Sequence, residues 1–355
     1  MKQKPIQKQT IVITGGSSGI GLATAKMAAE RGANVIILSR DEEGMRKICD
    51  EERAAGHKLD YVVADIGERD QVRDAVQTVI SRHGGFDTWY NCAGVGVYAK
   101  LEDVSDADHE KVFKTNYWGV VYGSLEALKH LKKNGGTLIN QGSIASDMPA
   151  PVLGTYTATK HAVKGFTDSL RQELIEEGAP VYVSLIKPAG IHTPFGEHAK
   201  NEMGAAAVVP PPLYAPEVVA TAVLDAAQKP IREVIIGGSG RGMTWIQKYM
   251  PRIADQLFSR AFPMLATDES HPPRQREGGF FKPGKSGNMY GDQDTFMLKS
   301  SVYTSSQTRP AKTLATVAAV GVGAAALTGW LLRPKAQGDQ KPNKAVSGDR
   351  PSSVI

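Results

Sequence analysis

The sequence predicts an α/β fold: a single domain built on one doubly wound parallel sheet of about seven strands, followed by a C-terminal extension. Two observations lead there. Apolar, β-branched runs alternate with stretches of helical periodicity through the first 265 residues, as in strand–helix–strand units whose sheet is buried on both faces. The first of these runs also leads directly into a glycine-rich turn that opens a helix. Composition agrees, with 41% apolar and 22% charged residues, and no internal repeat is evident.

Strands are expected at Ile11–Thr14, Asn34–Leu38, Tyr61–Val63, Phe86–Asn91, Gly136–Gln141, Val181–Ile186 and Arg232–Ile236. Helices such as Ile20–Arg31 and Asp70–His83 cross between them, and a helix-like stretch Met243–Met264 closes the body. The organisation is then a basic segment at 1–10, a catalytic body at 11–265 and a polar flexible linker at 266–310. The linker is rich in Gly, Pro and Ser, as in HPPRQREGGFFKPGKSGN. Thr313–Leu332 follows, 20 residues without a charge between Lys312 and Arg333. As a helix it would rise ~30 Å, enough to cross a hydrocarbon core. A buried Ala/Gly-rich helix is the alternative, but the polar linker before it offers no surface to bury it. Small residues at four-residue spacing (Ala319 with Gly323; Gly321, Ala325 and Gly329) suit a helix–helix contact, or simply follow from the composition. Residues 333–355 read as a basic disordered tail.

The formal charge of +5 sits at the ends. Residues 1–10 hold three lysines and no acid, and residues 300–355 hold seven Lys/Arg against Asp339 and Asp349. Residues 266–299 hold five of each sign, which leaves the body at −3 and argues against a nucleic-acid-binding domain. Cys49 and Cys92 are too few for a disulfide framework and lack metal-ligand spacing, so no metal site is expected and the setting is a reducing one. No secretory signal is read in the first ten residues.

TGGSSGIG, Thr14–Gly21, places backbone N–H groups at a helix N-terminus, where a pyrophosphate can be held. The second strand ends in ILSRD. Ser39 stands where an acid would accept ribose hydroxyls, and Arg40 follows with a guanidinium suited to a 2′-phosphate, so NADP(H) is favoured over NAD(H). Asp41 complicates this, since a neighbouring carboxylate can still serve a ribose. A plain reading makes Arg40 a solvated loop residue.

YTATK puts Tyr156 and Lys160 one helical turn apart on one face. A nearby ammonium would favour phenolate and bring tyrosine, ordinarily near pH ~10, toward useful acid–base work. Ser143 ends the run LINQGS at the strand edge that faces a ligand crevice. Singly, Tyr156 reads as core filler, Lys160 as a surface cation and Ser143 as a cap. It is their joint placement with the glycine-rich turn that points to a site.

Taken together these motifs resemble the short-chain dehydrogenase/reductase family in its form of roughly 250 residues, with a Rossmann-like fold. TGGSSGIG stands for the family's TGxxxGxG, and Asp65 follows the third strand in VVADI. NCAG occupies Asn91–Gly94, Asn116 lies in KTNYWG, and YTATK stands for YxxxK. PAGIHTP closes the set at Pro188–Pro194, so the motifs run in family order over about 9–240.

The resemblance implies hydride transfer between NADP(H) and a carbonyl or alcohol. Ser143 would polarise the carbonyl and Tyr156 would give or take the proton. Lys160 would lower the tyrosine pKa and hold the nicotinamide ribose, with Asn116 holding a relay water. Thr14, Gly15, Ser17, Ser18, Gly19, Ile20 and Gly21 would hold the diphosphate end, with Ser39 and Arg40 at the adenosine ribose. Asp65 and Ile66 would lie at the adenine. Asn91, Ala93 and Gly94 would form the floor, and Pro188, Gly190, Ile191 and Thr193 the nicotinamide side. The departures are Cys92 for the commoner asparagine and Thr159 for serine. The family also implies a homodimer or homotetramer.

Phe195–Pro212, expected over the substrate, has no arginine, which favours an apolar ketone or aldehyde over a small anion. A span at Thr313–Leu332 would make the protein membrane-associated with its catalytic domain in the cytoplasm; a soluble cytoplasmic protein is the alternative. Arg333, Lys335, Lys341 and Lys344 would also prefer the cytosolic side. Competing readings are an NAD-dependent alcohol dehydrogenase of the same fold, a dinucleotide-binding scaffold without turnover, and a membrane-interaction protein with a vestigial core.

Overall fold

The computed structural model describes residues 3–271, 279–311, 313 and 314. Seven strands form one parallel sheet: β1 (Thr10–Thr14), β2 (Asn34–Ser39), β3 (Lys58–Val63), β4 (Thr88–Asn91), β5 (Gly136–Gln141), β6 (Val181–Pro188) and β7 (Glu233–Ile236). Their order is β7-β6-β5-β4-β1-β2-β3. β1 pairs with both β2 and β4, Thr14 standing opposite Leu38 on one side and Asn91 on the other. The order reverses between β1 and β4, so a crevice opens at their C-terminal ends.

Alternate residues feed two cores. Ile11, Ile13, Val35 and Ile37 belong to one apolar layer, whereas Val12, Ile36 and Leu38 belong to the other. Helices α1 (Gly19–Glu30), α2 (Glu42–Ala54) and α3 (Arg69–His83) follow the first three strands. Next come α4 (Asp106–Phe113), α5 (Gly119–Asn134), α6 (Gly154–Glu176) and α7 (Pro216–Ala226). α1 packs against α7, and α3 against α5. With both faces covered, every central strand residue can be apolar, which is why the runs read as continuous rather than alternating.

The stretch Met243–Met264 is two helices, α8 (Gly238–Tyr249) and α9 (Pro251–Leu265). Pro251 has no N–H to continue α8 and holds Met250 outside the helical region, at φ −134° and ψ 52°, so the helix breaks there.

The described parts of the segment expected to be a flexible linker, 266–271 and 279–310, are instead folded onto the body. Thr267–Asp268 pairs with Ala206–Ala207, and Met297–Leu298 with Leu213–Tyr214. α10 (Val302–Thr308) packs against α7 and β7, and the compact unit runs to Pro310. Composition missed this because polar side chains do the attaching. The Gln293 amide exchanges hydrogen bonds with both backbone groups of Val209, at 3.0 and 2.9 Å, and Gln307 does the same with Ile235, at 3.2 and 2.9 Å. The Arg309 guanidinium grips buried Asp225 through two bonds of 2.6 and 2.9 Å. Phe280 is fully buried among Val95, Val97 and Val112.

The expected span Thr313–Leu332 and tail 333–355 lie outside the described residues, apart from Thr313 and Leu314. Among the described residues no helix is long and apolar enough to cross a membrane.

If the post-265 segment is part of the fold, Phe280→Ala lowers unfolding free energy by ~3–5 kcal/mol, read as a drop in Cm in denaturant titration. A linker residue would leave Cm where it is.

Candidate active site

The glycine-rich turn leaves β1 and enters α1 under tight steric limits. Gly19 has a left-handed φ of +52°, and a Cβ on Gly21 would sit 2.1 Å from the Gly15 carbonyl oxygen. Only glycine allows either. The Ser17 hydroxyl meets that of Ser39 at 3.1 Å, joining the turn to the end of β2. Gly15, Ser17, Ser18, Gly19, Ile20 and Gly21 line one cleft together with Ser39, Arg40, Asp65, Ile66, Ala93, Gly94 and Thr193. Helix-start amides, small hydroxyls and a cation along one cleft suit a dinucleotide's diphosphate and adenosine ends.

Thr14 and Asn91 do not line the cleft but hold its walls. The Thr14 hydroxyl accepts from the N–H groups of Cys92 at 3.1 Å and Ala93 at 3.3 Å. The Asn91 amide donates to Ser124 at 3.1 Å and Asn140 at 2.8 Å, within a buried polar network.

At the adenosine end Asp41 is turned away: its carboxylate caps α2 by accepting from Gly44 N–H at 3.2 Å. Arg40 faces Asp65 at 4.0 Å and donates to four backbone carbonyls, those of Gly279, Phe280, Phe281 and Lys282. Sequence reasoning missed this partner entirely. The signal available was GGFFKPGKSG, in which two adjacent aromatics stand inside a long turn-rich loop of the kind that carries function.

Ser143, at the end of β5, caps the short turn Ile144–Ser146, its hydroxyl accepting from Ala145 N–H at 3.1 Å. It also lines one cavity with Tyr156, so the capping and the chemical readings hold together. Behind it Asp147 pairs with both Lys164 of α6 and buried Lys187 of β6, which ties the serine turn to the helix carrying Tyr156. The Lys160 ammonium, 2% exposed, lies 5.4 Å from the Tyr156 ring centroid and donates to the Gln141 carbonyl at 2.8 Å. Asn116 lies in a π-helical turn, Lys114–Trp118, the widened kind of turn often found at functional sites. Its amide exchanges bonds with both backbone groups of Val95, at 2.8 and 2.9 Å, and donates to Thr159 at 3.2 Å. Thr159 thereby links Asn116 to α6. A Cβ on Gly94 would lie 3.5 Å from Asn116 Oδ1 and 3.9 Å from Lys160 Nζ, which shows how closely these groups converge.

One expectation is corrected. Burial pushes the Tyr156 phenol up to about 12, against the opposing pull of the nearby Ser143 hydroxyl. Burial acts on Lys160 as well, lowering the ammonium's pKa from 10.5 to about 8, and the ammonium donates to the Gln141 carbonyl. In the protein alone, then, the phenol is firmly protonated near neutral pH. Cys92 is likewise pushed up by burial, to about 11, and stays a thiol.

Tyr156 and Ser143 open into a second cavity of about 320 Å³. Ile20 and Thr193 border both spaces, so the cleft and the cavity meet beside the phenol. Pro188, Gly190 and Ile191 form the cavity's far side, as expected. Tyr98, Met148, Leu153 and the α9 residues Leu257, Phe258, Phe262 and Leu265 complete it, so part of the amphipathic stretch Trp245–Phe262 extends the pocket. None of the described lining residues is charged.

The profile of the short chain dehydrogenase family matches residues 9–204. The uncharacterized oxidoreductase YxnA of Bacillus subtilis is 38% identical over 329 residues, covering 92% of this chain and 92% of that protein. A short-chain dehydrogenase/reductase from Burkholderia phymatum, solved in complex with NAD, superposes with a TM-score of 0.64 at 25% identity, over 71% of this chain and 96% of its own. An alcohol dehydrogenase from Thermococcus sibiricus, complexed with 5-hydroxy-NADP, superposes at 0.56 with 26% identity, over 64% of this chain and 95% of its own.

The lowered Lys160 pKa sets a stability trend. Between about 8 and 10.5 the unfolded chain binds more protons than the native one, so native stability rises with pH across that window. Denaturation midpoints of wild type should rise relative to Lys160→Met from pH 8 to 10.5, and a flat difference would contradict the burial of this ammonium.

Proposed function

Given that the chain belongs to the short-chain dehydrogenase/reductase family, oxidoreductases that act on CH–OH and C=O groups with NAD(P), we propose that it transfers hydride between NADP(H) and a lipophilic ketone or aldehyde. The observation that carries this is the Tyr156 hydroxyl, which lines an uncharged cavity together with Ser143 where that cavity meets the dinucleotide cleft. In reduction the bound nicotinamide supplies the hydride to the carbonyl carbon.

The residues of this chain manage the oxygen. Ser143 donates to the carbonyl oxygen and polarises it, and Tyr156 delivers the proton that completes the alcohol. A phenol held protonated suits that direction. Lys160 stands beside Tyr156 as the cation that stabilises phenolate once the proton has left. Asn116 bridges Val95 and Thr159 and so fixes the floor of the site against α6. The uncharged cavity favours an apolar substrate, since a carboxylate or phosphate buried there would find no partner.

NADP(H) is preferred because, of the three residues Ser39, Arg40 and Asp41 at the end of β2, Ser39 and Arg40 line the cleft whereas Asp41 is engaged as a helix cap. NAD(H) is the second reading, favoured by the four carbonyls already bonded to the Arg40 guanidinium.

A panel of carbonyl compounds weighted to apolar ones, followed by NADPH oxidation, tests the reading. Tyr156→Phe should lose ~10²–10⁴-fold in kcat with coenzyme affinity retained. Equal turnover by wild type and Tyr156→Phe across every responsive compound would sink it.

A further inference from the structure

Two groups at opposite ends of the coenzyme cleft are held by the same short segment. Gly19 N–H, at the diphosphate-facing start of α1, donates to the Asn288 carbonyl at 2.9 Å, and Gly287 N–H donates to the Ser17 carbonyl at 2.9 Å. At the adenosine end, Arg40 Nη1 donates to the carbonyls of Phe280 (3.4 Å) and Phe281 (3.1 Å), and Nη2 to those of Gly279 (2.8 Å) and Lys282 (3.1 Å). Two terminal nitrogens carry four N–H groups, so both edges of the guanidinium fork are committed. Gly279, Pro283, Gly284 and Lys285 also line the cleft itself. One segment therefore takes donors that a diphosphate and a 2′-phosphate would each require.

A phosphate oxygen bears formal charge and accepts roughly twice as strongly as a neutral carbonyl. The carbonyls of Gly279–Lys282 can thus be outcompeted at Arg40, but only by an anion placed there. We propose that Gly279–Asn288 is a strap displaced by coenzyme, with Arg40 as its latch. A 2′-phosphate takes the guanidinium from the carbonyls, whereas a dinucleotide without that phosphate leaves the latch closed. This rests on the NADP(H) reading above and extends it: discrimination between the coenzymes becomes the difference between opening and not opening the strap. Phe280 stays as the anchor on the body side, fully buried against Val95 and Val97.

Trypsin cleavage after Lys285, an exposed strap residue, reads the strap in the full-length protein; Lys282 is followed by Pro283 and is a poor site. Saturating NADPH should speed cleavage at Lys285 about tenfold, with NADH changing it less than about twofold. Arg40→Lys keeps the positive charge but cannot hold four carbonyls. It should cleave about tenfold faster than wild type without coenzyme, with little added by NADPH. Tyr156→Phe should give the wild-type strap response without turnover, which keeps this readout apart from catalysis. The proposal is overturned if NADPH protects Lys285, if both dinucleotides act alike, or if Arg40→Lys cleaves as wild type does. NADPH binding, followed by its fluorescence, separates the failures. Binding that leaves Lys285 unchanged removes the strap alone, and no binding removes the strap and the NADP(H) reading together.

Discussion

A buried ammonium organises this site. Lys160 sits in α6 with almost no solvent contact and one short bond, to the carbonyl that ends β5. Desolvation makes that placement costly, so the surroundings must be fixed well enough to keep it. They are fixed by neighbours that act on backbone: Asn116 clamps Val95, Thr14 clamps Cys92 and Ala93, and Asp147 joins the serine turn to α6 and β6. The same desolvation keeps the Tyr156 phenol protonated, so a single physical cause sets both the stability cost and the protonation state of the proposed acid.

How much of this was readable from residues alone follows from the range of the interactions. All seven strands were legible because a doubly covered parallel sheet writes itself as short apolar runs, with no end displaced by more than three residues. The convergence of Ser143, Tyr156 and Lys160 was legible because two of them share a helix face and the third follows a strand end that the topology brings to the crevice, whereas Asn116, inside a π-helical turn, came only through the family resemblance. The direction of the tyrosine shift was not, because spacing reveals a neighbouring cation but not the burial that opposes it. Nor was the folded state of residues 279–310. Arg40 lies 239 to 242 residues from the carbonyls it binds, and backbone acceptors leave no trace in composition.

The segment beyond α9 changes what the family resemblance covers. The family profile ends at residue 204, well before the helices that close the substrate cavity and the loop that reaches the coenzyme cleft. YxnA matches over 92% of this chain, so the likeness to that protein extends into this region as well. The parts that line the cavity and the far side of the cleft are thus added around the shared sheet, in keeping with function being grafted onto a common scaffold.

One small contact bears on assembly. β7 is the last strand of the sheet, and an open strand edge invites pairing with another chain. Here the Gln307 side chain satisfies both backbone groups of Ile235 from α10. A second copy seeking to extend the sheet across this edge would first have to strip that glutamine away, so pairing through β7 requires α10 to move first.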